Sequence, residues 1–178
     1  IDLPGFGVSQ ALKEYSFENL NTLLEGFSQS VGLSRFSLLG QCMGGIIALD
    51  YTIRNEYKVD RLILVETMIY FPLWMNLLLI KLLSIWVMRF MLTCKMGMRL
   101  FDFHRATRRL GSNKKLVRML QKADYDQSLK YIRLMKEYSK FDHLSRAKSI
   151  KIPVNIFIAS CTFVQVRKTA KDLAHVIL

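Results

Sequence analysis

Two short apolar segments, residues 35–39 and 61–65, lie on either side of a segment with helical spacing. The spacing of four apolar residues predicts a helix from Met43 to about Tyr57. These residues are Ile46, Ile47, Leu49 and Ile53. Residues 61–65 are too continuously apolar to alternate, which is typical of a buried parallel strand. Because a strand, a helix and a strand in this order form a right-handed βαβ unit, the sequence predicts an α/β fold with a mostly parallel sheet and flanking helices.

Further elements are predicted before and after this unit. Ser16 is a favoured N-cap residue, and Gly32 ends the helical stripe of apolar residues that follows it, which consists of Leu20, Leu23, Leu24, Phe27 and Val31. Residues 152–158 predict another strand, and residues 167–178 predict another helix.

The middle of the chain has a different character. Residues 70–141 contain no convincing strand pattern and are rich in leucine, methionine and basic residues. The predicted organisation is therefore an α/β core in residues 1–68, a helical insertion in residues 69–148, and the rest of the core in residues 149–178.

Charge is distributed unevenly along the 178 residues, whose net charge is +12. Residues 1–67 hold 5 Lys/Arg and 8 Asp/Glu, whereas residues 68–178 hold 21 and 6. The most basic segment, residues 81–122, has 11 Lys/Arg and one acid, Asp102. No recognised nucleic-acid module accompanies it, so we expect a solvated face of the insertion and no nucleic-acid partner.

The three cysteines, Cys42, Cys94 and Cys161, are widely spaced and form no CxxC pair. This pattern argues against a disulfide framework or a zinc site and fits a reducing compartment. We therefore expect a cytoplasmic protein with no metal and no organic cofactor.

An apolar stretch opens the insertion. Residues 67–80 contain no charge, but these 14 residues are fewer than the roughly 20 that a spanning helix needs. On a helix the next basic residues, Lys81, Arg89, Lys95 and Arg99, would fall within a sector of about 120°. Three interpretations stay open: a buried cap helix, a lid over a substrate pocket, and a helix that contacts a membrane surface peripherally.

The sharpest local motif is Gly40-Gln-Cys42-Met43-Gly44-Gly45, between a predicted strand and a predicted helix. A nucleophile at such a turn projects above the sheet edge, and glycines two residues before and after it remove Cβ atoms that would collide. The N-terminus of the following helix would favour a Cys42 thiolate, and the Met43 N–H could stabilise an oxyanion. The alternative is a buried free cysteine in a glycine-rich turn.

Residues 1–67 resemble the α/β-hydrolase superfamily beyond this turn. The opening Asp-Leu-Pro-Gly-Phe-Gly-x-Ser, residues 2–9, is similar to the loop after its fourth strand in the esterase, epoxide hydrolase and dehalogenase branch. Residues 152–173 resemble its penultimate strand, loop and helix. The resemblance implies an α/β-hydrolase fold, truncated at both ends, in which the insertion is the cap.

The resemblance also implies candidate catalytic residues. Most members carry serine where this chain has Cys42; cysteine occurs there in dienelactone hydrolases and polyhydroxyalkanoate synthases. The usual aspartate falls on Thr162 or its neighbours. Some members take the acid from the end of the strand after the elbow helix, which corresponds to Glu66. Alternatively, Glu66 is an ordinary polar residue at a strand end.

No histidine matches the superfamily pattern. The catalytic histidine follows one further strand, whereas His104, His143 and His175 lie elsewhere and are expected to be surface or packing residues. We therefore expect a partial sequence, inactive alone, whose general base lies outside the chain.

Together these features predict a hydrolase that cleaves a small or medium apolar ester or thioester through an acyl-enzyme on Cys42, with Met43 as oxyanion donor and Glu66 as acid. One alternative is an acyltransferase with the same nucleophile. Another is a non-catalytic hydrolase relic that binds a partner or a membrane surface. The expected partner is a small acyl substrate, and the sequence predicts no oligomeric state.

Overall fold

The computed structural model describes residues 1–6, 8–72, 134, 137–139, 141–160 and 162–177. The chain divides into two compact units, one made of residues 1–13 and 73–138 and the other of residues 14–72 and 139–178. All of the strands and helices described below belong to the second unit.

Three parallel strands form the sheet: β1 (Phe36–Gln41), β2 (Val59–Val65) and β3 (Val154–Phe157), in the order β1-β2-β3. Their register pairs Gln41 with Val65 and Val65 with Phe157. The carboxyl ends of all three strands are therefore level at one edge of the sheet. The predicted parallel α/β architecture is confirmed.

Helix α1 (Phe17–Ser30) precedes β1 and begins where the sequence predicts it. The Ser16 hydroxyl accepts a hydrogen bond from the Asn19 N–H at 3.1 Å, which satisfies one of the free donors of the first turn. The predicted apolar stripe is wrong at its end, because Phe27 and Val31 are exposed. Only the first turns of α1 contribute deeply buried apolar side chains, Phe17 and Leu20.

Helix α2 (Met43–Arg54) connects β1 to β2 and ends three residues earlier than the periodicity suggests, because a 3-10 turn (Glu56–Lys58) follows it. After the insertion come a short helix α3 (His143–Arg146) and a 3-10 turn (Ala147–Ser149). Helix α4 (Val164–Ile177) follows β3 and begins three residues before the predicted start.

The core of this unit lies between β2 and the helices. Leu62 and Leu64 are fully buried against apolar residues of α2, α4 and the segment before β3, namely Ala48, Leu49, Ala147, Ile150 and Leu173. Ile63 and Val65, which alternate with them, are only partly buried. Strand β2 is thus deeply buried on one face, which differs from the continuous burial that its composition suggests.

A buried carboxylate connects α2 to α3. The Asp50 side chain is 2% exposed and accepts hydrogen bonds at 2.7 Å from both Arg54 Nε and Arg146 Nη1. His143, on α3, is 1% exposed and packs against the rings of Phe17 and Phe141. Burial in this environment lowers the pKa of His143 to about 4.

Predictions for the insertion fall largely outside the described residues. These include the basic sector of Lys81, Arg89, Lys95 and Arg99, His104, and the segment of residues 81–122. The domain limits at residues 69–148 therefore stay a prediction. Within the described ranges, no helix has both the length and the apolar character needed to cross a membrane.

Candidate active site

Cys42 occupies the turn between β1 and α2. Its backbone has φ 53° and ψ −116°, a conformation that is rare for a residue with a side chain. The Cys42 N–H donates to the Val65 carbonyl oxygen at 2.9 Å, so the turn begins within the sheet ladder. The residue is exposed and its thiol is free, in contrast to a buried packing cysteine.

Two of the glycines around this turn are closely packed against neighbouring atoms. A Cβ built on Gly40 would lie 2.4 Å from the carbonyl oxygen of Gly44, and one on Gly45 would lie 1.9 Å from Thr67 Oγ1. Neither distance is compatible with a side chain. The same steric expectation for Gly44 is wrong, because a Cβ there meets no atom of the described residues within 4 Å.

Met43 is the first residue of α2, and its side chain is buried. The first N–H groups of a helix have no acceptor within that helix, and their dipoles favour a negative charge nearby. The Gly45 N–H already donates to the Cys42 carbonyl at 3.2 Å. The first turn of α2, which directly follows Cys42, therefore carries polarised N–H donors.

Glu66 repeats the backbone arrangement of Cys42 one strand further along the sheet. It directly follows β2, has φ 50°, and its N–H donates to the Phe157 carbonyl at 2.9 Å. Since Gln41 and Val65 are register partners and neighbouring strands lie about 4.8 Å apart, Cys42 and Glu66 emerge side by side from the sheet edge.

The Glu66 carboxylate is bound by the loop after β3. One of its oxygens accepts a hydrogen bond from the Ala159 N–H, and the other accepts one from the Thr162 hydroxyl. The resemblance places the usual acid at Thr162 or its neighbours, so the structure brings the two candidate acid positions into contact. No local pattern in the sequence signals this contact, because the two residues are 96 positions apart.

The segment after Glu66 is held against α4. The Ile69 N–H donates to Thr169 Oγ1 at 3.2 Å, and the Tyr70 hydroxyl donates to Asp172 Oδ2 at 2.6 Å. This hydrogen bond and partial burial raise the pKa of Tyr70 to about 12, so the phenol stays protonated. Helix α4 thereby fixes the chain that leaves the candidate site.

The described histidines lie away from this edge. His175 is in the last turn of α4, a helix that returns from the carboxyl end of β3 toward the opposite edge of the sheet. His143 is buried beside Asp50, two turns along α2 from Cys42. His143 is thus a packing residue and His175 a surface residue, as expected, and the location of the general base stays a prediction.

The described residues include no cluster of three or more His, Cys, Asp or Glu that could hold a metal ion. The side chains at the sheet edge, a thiol, a carboxylate and a hydroxyl, are suited instead to nucleophilic and acid–base chemistry.

A model of the alpha/beta hydrolase fold family matches residues 1–151, and the chain therefore belongs to this family. A comparison with curated protein sequences gave no significant match.

Several solved structures share the fold. MenH from S. aureus is 22% identical, with a TM-score of 0.79 over 99% of this chain and 70% of that protein. The enol-lactonase from Burkholderia xenovorans LB400 is 20% identical, with a TM-score of 0.65 over 96% and 65% of the two chains. A carboxylesterase of Nitrososphaera gargenis is 15% identical, with a TM-score of 0.74 over 99% and 66%. The chain spans less than two thirds of the latter two proteins.

Proposed function

We propose that the protein is a hydrolase that cleaves a small or medium apolar ester or thioester through a covalent acyl-enzyme on Cys42. The observation that carries this proposal is the conformation of Cys42, an exposed thiol at φ 53° between the end of β1 and the first turn of α2. Glycines on both sides leave room for this backbone and for no larger residue at positions 40 and 45. Family membership supports the same class of reaction.

In the proposed reaction, Cys42 Sγ attacks the acyl carbonyl carbon as a thiolate. The carbonyl oxygen becomes an oxyanion, which the Met43 N–H and the N-terminus of α2 stabilise. Collapse of this intermediate breaks the bond to the alcohol or thiol, which leaves with the proton that the general base took from the Cys42 thiol. Water then hydrolyses the thioester on Cys42, which releases the carboxylic acid and restores the thiol.

Glu66 is the proposed acid of the triad. Its position beside Cys42 at the sheet edge suits a carboxylate that accepts a hydrogen bond from an imidazole and stabilises its protonated form. Neither His143 nor His175 is placed to be that imidazole, so the base is not assigned to a described residue.

The apolar character of the substrate is supported by the same edge of the sheet. Apolar side chains at and after the end of β3 are exposed there, namely Phe157, Ile158, Phe163 and Val164. Apolar surface beside a nucleophile favours an acyl chain over a charged substrate.

Activity of the full-length protein with apolar aryl esters and acyl-CoA thioesters tests this function. The wild type is expected to hydrolyse one or both classes, and Cys42→Ala is expected to lose about 1,000-fold or more of the activity. Thr22→Ala, a change on the exposed surface of α1, is the control and should be fully active. Activity that survives in Cys42→Ala would contradict the proposal, whereas acyl transfer to an added alcohol or thiol in excess of free acid would identify an acyltransferase.

A further inference from the structure

We infer that Thr162 is a positioning residue for the proposed reaction: its hydroxyl holds the Glu66 carboxylate in the orientation that an imidazole partner needs. This inference rests on the proposed function of Glu66. Thr162 would touch neither the substrate nor the reacting atoms, and it would act through the carboxylate alone.

The contact is well suited to this role. A glutamate side chain has three rotatable bonds, so a carboxylate fixed only by its backbone would sample many orientations. Here both oxygens are bound, one by the Ala159 N–H and the other by the Thr162 hydroxyl. Each oxygen of a carboxylate has two acceptor sites, so these contacts leave room for an imidazole N–H. Thr162 is 9% exposed, which limits the competition from water.

The loop has other contacts that hold its backbone. The Thr162 N–H donates to the Ala159 carbonyl at 3.2 Å, and Arg167 Nη2 donates to the Ser160 carbonyl at 2.6 Å. The backbone of Glu66 is held separately, through its bond to Phe157. Loss of the Thr162 hydroxyl would therefore free one carboxylate oxygen, while the Ala159 N–H still binds the other and the loop and the end of β2 keep their backbone bonds.

The residue types in the loop after β3 support this role for the contact. The loop after β3 supplies no carboxylate of its own, since residues 158–162 are Ile-Ala-Ser-Cys-Thr. It supplies two donors instead, and both are used by the carboxylate of the neighbouring strand. A loop whose donors converge on one acid is the arrangement expected where that acid must be held in a single orientation.

The experiment compares Thr162→Val, which removes the hydroxyl at nearly constant shape, with Thr162→Ser, which keeps it, in the full-length protein. We expect Thr162→Val to lower kcat for an aryl ester about tenfold, with KM changed less than about twofold, because a hydrogen bond to a charged group is lost. Thr162→Ser should restore kcat to within about threefold of the wild type. In a Glu66→Gln background, Thr162→Val should have no further effect, because the two residues act as one unit.

A second readout avoids the choice of substrate. The rate at which iodoacetamide alkylates Cys42, followed by peptide mass spectrometry, is measured against pH. Thr162→Val should displace this profile in the same direction as Glu66→Gln, and Thr162→Ser should not. If Thr162→Val yields no folded protein, Thr162→Ala provides the same comparison.

The outcomes separate the two proposals. If Cys42→Ala is as active as the wild type, the proposed function fails and the positioning role fails with it. If Cys42→Ala and Glu66→Gln are both inactive but Thr162→Val matches the wild type, only the positioning role is overturned. Independent effects of Thr162→Val and Glu66→Gln, which multiply in the double variant, would overturn it as well.

Discussion

The backbone N–H of Cys42 donates to the carbonyl oxygen of Val65, the residue immediately before Glu66, at 2.9 Å. The Glu66 N–H makes the equivalent bond to Phe157. The two turns are thus consecutive steps of one hydrogen-bonded ladder, and each adopts a positive φ directly after its strand. A thiol and a carboxylate reach the same sheet edge because the strands that carry them are paired in register.

Gly45 is the first test of this geometry. Gly45 lies in the first turn of α2, and Gly45→Ala would place a Cβ 1.9 Å from the buried Thr67 side chain. We therefore expect the free energy of unfolding to fall by about 2–3 kcal/mol. Gly44→Ala is the matched control, because its Cβ meets no described atom within 4 Å and alanine favours a helix. Denaturant unfolding of both variants checks this. Equal stability of the two variants would contradict the packing described at Gly45.

Glu66→Gln tests the proposed acid. We expect kcat to fall by at least about 100-fold, because a neutral amide cannot stabilise an imidazolium. In addition, the amide NH2 group is itself a donor and cannot accept a hydrogen bond from the loop after β3. Steady-state kinetics of the purified variant measure the effect.

Glu56→Gln is the control for this variant. Glu56 likewise accepts two hydrogen bonds, from the N–H groups of Lys151 and Ile152, but at the opposite end of β3. Its substitution should lower stability and leave kcat within about threefold. Equal losses of kcat in both variants would assign Glu66 a structural role only.

The lowered pKa of the buried His143 should make the stability of the protein depend on pH. Its pKa is about 4 in the folded protein and about 6.5 in the unfolded chain, so the unfolded state binds more protons between these values. The free energy of unfolding should therefore fall as pH decreases from about 6.5 to 4, by roughly 3 kcal/mol from this group. Asp50 and Asp142 oppose the shift, while burial, Arg146 and Arg54 produce it.

Chemical denaturation at several pH values measures this contribution. His143→Gln should remove most of the slope between pH 6.5 and 4, whereas His175→Gln, on the exposed end of α4, should keep it. A wild-type slope that survives in His143→Gln would show that other groups cause it.

The buried Asp50 carboxylate should contribute more to the free energy of unfolding than the exposed Asp60 carboxylate does. Asp50→Asn removes a carboxylate that is 2% exposed and leaves Arg54 and Arg146 without it, which should cost about 3 kcal/mol. Asp60→Asn breaks the exposed pair with Arg35, which should cost less than about 1 kcal/mol. Thermal unfolding of the two variants gives the comparison, and similar losses would contradict the burial described for Asp50.

Local patterns in the sequence were sufficient for the parts of the fold that depend on neighbouring residues. The Ser16 cap, the two strands around α2 and the glycine-rich turn at Cys42 are all determined within a few residues. Amphipathic spacing failed at Phe27 and Val31, because burial of a helix face depends on what packs against it.

Contacts between distant parts of the chain could not be predicted in this way. Thr162 reaches Glu66 across 96 positions, and the contact depends on the register of β2 with β3. His143 is buried because Phe17 and Phe141 surround it, and Phe17 lies in a different helix. The steric role of Gly45 depends on Thr67, which comes 22 positions later.

Labelling of the full-length protein with a thiol-reactive acyl probe, followed by peptide mass spectrometry, tests the central claim most directly. We predict one acyl adduct, on Cys42, that forms faster than any modification of Cys94 or Cys161 and is absent in Cys42→Ala. Acylation confined to the other cysteines, or no acylation of the folded protein, would contradict the assignment of Cys42 as the nucleophile.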